Sequence, residues 1–79
     1  MLKSVTFEVV GEQQLHCEGC EQRVERMLKT LPGVERVRAQ ARKQRIEVLY
    51  DSSMQEPNAI AQHLGTAGYQ TNVANSQPQ

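Results

Sequence analysis

Tryptophan is absent from this chain of 79 residues, and the only aromatic residues are Phe7, Tyr50 and Tyr69. The core must therefore be aliphatic. It must also be modest, because a chain this short forms one domain with a small interior. Net charge is missing too: nine Lys and Arg balance nine Asp and Glu. A dedicated nucleic-acid binder carries a basic excess, so no nucleic acid is expected as a partner. No stretch approaches the roughly 20 apolar residues of a membrane span. Met1-Leu2-Lys3-Ser4 leads into alternating apolar and polar residues, not the continuous apolar run of a secretory signal. Neither membrane insertion nor export is expected. Cysteine occurs only at Cys17 and Cys20. The expected location is the cytoplasm, where such thiols stay reduced unless a metal or a redox partner engages them.

The residues that are present fall into two alternating periods. Val5, Phe7 and Val9 alternate with Thr6 and Glu8, which predicts a half-buried strand over residues 4–10. Gly11 marks its end or a bulge. From Cys20 the period becomes helical: Val24, Met27, Leu28 and Leu31 recur at i, i+3, i+4, i+7. Leu31-Pro32-Gly33 stops that helix. Residues 34–40, with Val34, Val37 and Ala39, and residues 45–50, with Ile46, Val48 and Tyr50 on one face, predict a hairpin joined by a polar turn at 41–44. Pro57 suits the first turn of a second helix, whose apolar face is Ile60, Ala61, Leu64 and Ala67. Gly68 stops it, and a short strand follows over 69–73.

The order is β-α-β-β-α-β. Each helix has a single apolar face, so both are expected on one side of a four-stranded antiparallel sheet. This is the ferredoxin-like α+β sandwich, a split βαβ arrangement. Thr6, Glu8, Arg36, Arg38, Arg45 and Glu47 should point from the other face into water. One domain is expected over residues 1–73, with a frayed polar tail over 74–79.

Leu15-His16-Cys17-Glu18-Gly19-Cys20 lies where the first strand gives way to the first helix. Three readings compete for its thiols. They could be small buried core residues, but a polar loop is a poor setting for core packing. They could be a redox dithiol activated by a helix N-terminus, but a thioredoxin-like chain is longer and has no hairpin in its middle. The third reading is metal binding. Gly19 lets the loop bring both sulfurs to one point, and the N–H groups and positive potential of a helix start favour thiolate. Two thiolates without a fixed third and fourth ligand do not make a closed zinc site. They suit a soft ion of low coordination, with Cu(I) foremost.

These six residues resemble the M-x-C-x-x-C motif of the heavy-metal-associated domain, a family of small copper chaperones and metal-binding domains of copper-transporting P-type ATPases. Leu31-Pro32-Gly33-Val34, Ile46-Glu47-Val48 with Tyr50-Asp51, and Ala67-Gly68-Tyr69 resemble further landmarks of that family in the same order. The resemblance covers about residues 4–73. It implies Cys17 and Cys20 as metal ligands. Leu15 stands in place of the family's Met beneath the loop, and Tyr69 is expected close to the loop. One departure stands out: most members carry Gly just before the Met position, but here Gln13 and Gln14 precede Leu15 and the glycine is Gly11. A longer or bulged approach to the loop is expected.

Cu(I) is the expected cargo; the alternatives are binding or detoxification of Hg(II), Zn(II) or Cd(II), or thiol–disulfide exchange. The implied partner is a metal-transporting P-type ATPase or another CxxC metal-binding domain. A monomer is expected without metal, and a metal-bridged dimer is an arrangement the residues leave open. No catalytic base or substrate pocket is called for, so no enzyme activity is expected. His16 is a candidate third ligand or a neighbour of the thiolates, though a solvent-facing loop residue is the plainer reading. His63 and the three methionines are assigned no metal. Arg36, Arg38, Arg42, Lys43 and Arg45 gather on the hairpin, where their plain role is solubility. Glu12, Glu18, Glu21 and Glu25 are expected to crowd the metal end and to favour a basic partner surface.

Overall fold

The alternation in the first strand sets the architecture. In the computed structural model, which describes residues 1–11, 14–15 and 18–78, β1 spans Leu2–Val10 and turns Val5, Phe7 and Val9 inward. α1 is Glu18–Lys29, β2 Val34–Gln40, β3 Arg45–Asp51, α2 Pro57–Thr66 and β4 Gln70–Pro78. The strands form one antiparallel sheet in the order β2-β3-β1-β4. β1 is therefore interior. It pairs with β3 through Val5–Val48 and Phe7–Ile46, and with β4 on its other side. Each β-α-β unit leaves room for one strand of the other unit between its own two, which is the split βαβ arrangement expected from the element order.

One apolar layer lies between sheet and helices. The sheet supplies Val5, Phe7, Val9, Val37, Ala39, Ile46, Val48 and Tyr50, and the helices supply Val24, Leu28, Ile60 and Leu64. Leu15 and Tyr69, both from connecting segments, complete it. Burying each large side chain contributes about 1.5–3 kcal/mol. Met27, Leu31 and Ala61 are only partly buried at its rim. Ala67, expected on the apolar face of α2, is exposed because the helix has closed: it is the C-cap residue, and its N–H already bonds Leu64 O at 3.1 Å. On the open face of the sheet Glu47 stands opposite Arg38, and Glu8 opposite Arg45. Such cross-strand pairs of opposite charge are favourable.

The boundaries differ most from the sequence expectations at α1 and β4. α1 begins at Glu18, before Cys20, so Cys20 already belongs to the helix. It closes at Lys29, where the Thr30 hydroxyl donates to Met27 O at 2.6 Å and ends the regular ladder. β4 continues through Pro78, where fraying was expected from residue 74. Its later residues have little apolar content, but β1 extends to Leu2, and Lys3 and Ser4 face Pro78 and Gln77 across the pair. The register of this pair shifts between Thr6, opposite Asn75, and Phe7, opposite Val73.

The end of the sheet remote from the cysteine motif has its own polar knot. Asp51 accepts bonds from the Ser53 N–H at 3.0 Å and the Ser53 hydroxyl at 2.8 Å, and pairs with the Met1 ammonium at 3.2 Å. These partners, Ser53 foremost, hold its carboxyl down at about 2. At the same end Gly33 takes φ +83, and a Cβ there would lie 2.7 Å from Met54 Cβ, so the turn after α1 admits only glycine without a shift.

α1 is fastened to β2 by charge as well as by packing. Glu21 accepts the Ala41 N–H at 2.6 Å, and Glu25 accepts the Ala39 N–H at 3.0 Å. β2 is an edge strand, and outward N–H groups on an edge are templates for pairing with another chain. Two carboxylates one helical turn apart thus take N–H groups at and just beyond the end of this edge. Truncating either one, Glu21→Ala or Glu25→Ala, should cost about 1–2 kcal/mol. Glu35→Ala, on an exposed residue of the same strand, should stay within about 0.5 kcal/mol. Urea unfolding midpoints for the three variants check this; equal midpoints would show that the carboxylates hold nothing.

Candidate metal centre

The segment that carries the cysteines leaves β1 through a constrained gate. Gly11 takes φ +84, and a Cβ added there would sit 2.6 Å from Gln70 Oε1. The side chain of Gln70, at the start of β4, therefore closes over the backbone of Gly11. The left-handed conformation is what favours glycine here; the Gln70 amide is the flexible end of a side chain and can swing aside. Four residues on, Leu15 is 2% exposed and part of the core. The chain thus leaves the sheet at Gly11 and is drawn back into the core at Leu15. Glu12 and Gln13 lie outside the described residues, so the form of the approach between them is not described.

Leu15 is held by its backbone as well as its side chain. The side-chain amide of Gln44, in the β2–β3 turn, accepts the Leu15 N–H on Oε1 at 2.8 Å and donates from Nε2 to Leu15 O at 2.5 Å. The same Nε2 donates to Ala41 O at 2.6 Å, which ties the amide to its own turn. Gln44 O accepts the Val9 N–H at 2.8 Å. One residue of the hairpin turn therefore grips the chain on both sides of the bend at Gly11. Gln44 adopts φ 53, in the left-handed region, at a cost on the order of 1 kcal/mol for a side chain of this kind.

Cys20 lies in the first turn of α1, half-buried and packed against the core. The first four N–H groups of a helix have no intrahelical acceptor, and the dipole is positive there. A thiol in that turn lies in the field that favours its thiolate. Glu21, the next residue, directs its carboxylate away to Ala41 N, and Glu25 directs its own to Ala39 N. The acidic end read from the sequence is therefore already engaged in two of its four members. Of the others, Glu12 lies outside the described residues and the side chain of Glu18 is not described.

Tyr69 is 5% exposed and joins Leu15 in the core. It opens the segment into β4, with its N–H on Leu64 O at 3.1 Å. Its successor Gln70 pairs with Val10 at the gate. Leu15, Cys20 and Tyr69 are thus gathered into or against one core. His16 and Cys17 lie outside the described residues. Sequence reasoning passed over Gln44, taking residues 41–44 as a polar turn. A signal was present: Ala41-Arg42-Lys43-Gln44 contains no Gly, Asn or Asp, so a residue poorly suited to positive φ had to supply it.

The arrangement is that of a small α+β domain with a cysteine at the mouth of its first helix. A family model for the heavy-metal-associated domain matches residues 6–70. The chain belongs to that family, whose domains bind and transfer metal ions. Solved structures agree in fold. Oxidised MerP from Ralstonia metallidurans CH34 superposes with a TM-score of 0.82 at 21% identity, over 95% of this chain and 100% of that one. The N-terminal domain of a potential copper-translocating P-type ATPase from Bacillus subtilis, in its Cu(I)-loaded state, gives 0.83 at 19%, over 100% and 95%. A protein of Bacillus anthracis str. Ames named for copper-ion binding gives 0.80 at 29%, over 91% and 97%. No curated protein matches the chain.

Leu15, fully buried, is the residue whose packing the fold shows at this motif. Leu15→Met conserves volume and should cost less than about 1.5 kcal/mol. Leu15→Ala opens a cavity in the core and should cost about 2–5 kcal/mol. Thermal or urea unfolding separates the two; a mild Leu15→Ala would mean that the side chain is not packed as described.

Proposed function

We propose that this protein is a Cu(I) metallochaperone that carries the ion between Cys17 and Cys20 and passes it to a partner by thiolate exchange. The reading rests on one observation above the others: Cys20 lies in the first turn of α1, packed against the core that also holds Leu15, which is anchored by backbone and side chain. The sequence places Cys17 between these two fixed points. Soft thiolates select soft ions. The carboxylate nearest in sequence to Cys20, that of Glu21, is committed to a backbone N–H, which supports low coordination over a closed four-ligand site.

Transfer needs no redox step. A thiolate of the partner's CxxC adds to two-coordinate Cu(I), giving a three-sulfur intermediate. One of Cys17 and Cys20 then leaves as thiolate. A second exchange releases the other, and the ion crosses without entering water. The partner this fits is a copper-transporting P-type ATPase or another CxxC domain, met in the cytoplasm. The protein has no bond-making role beyond ligand exchange and is not an enzyme on this reading. Among the described residues, no helix is long and apolar enough to cross a membrane.

Cys17→Ser and Cys20→Ser should each weaken Cu(I) retention against a competing chelator by more than the about 10–100-fold typical of losing a partner outside the ligand shell. Zn(II), Cd(II) and Hg(II), titrated in parallel, report the selectivity. Retention of Cu(I) by the double serine variant, or tighter binding of Zn(II) than of Cu(I), would overturn the proposal.

A further inference from the structure

We propose that Gln44 is a positioning residue for the metal loop: its amide clasps the Leu15 backbone and fixes the point from which the chain runs to Cys17. The inference rests on the metal reading above and adds a residue that the CxxC motif does not contain.

The geometry is that of a paired peptide. A side-chain amide presents one acceptor and one donor side by side, and Gln44 sets both against the N–H and C=O of a single residue. Leu15 cannot be reached by strand pairing from β3, because β1 has already ended at Val10. Gln44 extends the hairpin to it. Its backbone carbonyl takes the Val9 N–H, so the residue reads both sides of the bend. The third bond, from Nε2 to Ala41 O, fixes the amide's orientation within its turn.

The backbone at this position argues the same way. A left-handed residue in a hairpin connection is ordinarily Gly, Asn or Asp. Gln44 stands there at φ 53 and breaks that local preference. Sites where a local rule is broken are where another requirement has prevailed. The requirement visible here is reach. The longer amide meets Leu15 and Ala41 together, whereas Asn would satisfy the backbone with a side chain shorter by one methylene. Gly would satisfy it with none.

That contrast supplies the test. Gln44→Gly relieves the backbone and removes the clasp, so a residue retained only for the turn predicts a neutral or stabilised variant with unchanged copper handling. Gln44→Glu keeps the length and the acceptor but sets a second acceptor against Leu15 O and Ala41 O. In the metal-free full chain, hydrogen exchange of the Leu15 amide should accelerate by about tenfold or more in both variants, relative to the core amides of β3. In the Cu(I)-loaded chain, loss of Cu(I) to a competing chelator should accelerate by about tenfold, the low end for partners that orient metal ligands. Unfolding midpoints show that each variant is folded.

Unchanged Leu15 exchange in folded variants overturns the clasp. Faster exchange with copper release equal to wild type overturns its positioning role. A wild-type protein that fails to hold Cu(I) overturns the metal reading and the positioning role with it; that failure shows in the wild type before any variant is compared.

Discussion

Everything in this fold depends on burying one side of β1. The strand is interior, paired with β3 and β4, and its Val5, Phe7 and Val9 meet side chains from both helices in one apolar layer. A shift of a single residue would turn all three into water, so the register is strongly fixed. That fixed strand sets where Gly11 bends, and the bend sets where the cysteine-bearing segment begins. Leu15 then returns the chain to the same layer. Leu15 in that layer and Cys20 packed against it thus bound the cysteine motif in sequence, and α1 starts at Glu18.

Two polar fastenings act on the elements that flank the motif, and both come from the β2–β3 hairpin. Gln44 holds Leu15 before the cysteines. Ala39 and Ala41 receive the carboxylates of α1 after them. The hairpin is remote in sequence from the motif but braces both of its sides. Each fastening joins a side chain to backbone, so it sets the position of the flanking element.

Much of the fold was legible from periodicity, because a single apolar layer writes itself into the sequence twice. Period two gave Val5, Phe7 and Val9, and period 3.6 gave Val24 and Leu28. Where burial did not set the boundary, the reading faltered. β4 beyond residue 73 is polar, and its pairing comes from backbone groups that leave no mark in the side chains. α1 starts before its first apolar residue, because a helix start is set by backbone and field and not by the core. At the candidate site, spacing and resemblance singled out the Cys pair and Leu15, of which Leu15 and Cys20 are among the described residues. Gln44, Glu21 and Glu25 were not, since their partners are backbone atoms 14 to 29 residues away. A polar residue bonded to distant backbone looks, in sequence, like any solvated one.

The central claim is that two cysteine sulfurs, and nothing else from this chain, hold the ion in a low-coordinate and exchangeable state. Copper K-edge X-ray absorption of the Cu(I)-loaded full chain tests it most directly. The account predicts a first shell of sulfur alone, at low coordination number, with a spectrum that His16→Ala leaves unchanged. A nitrogen shell that disappears in His16→Ala, or a four-coordinate spectrum, would contradict it.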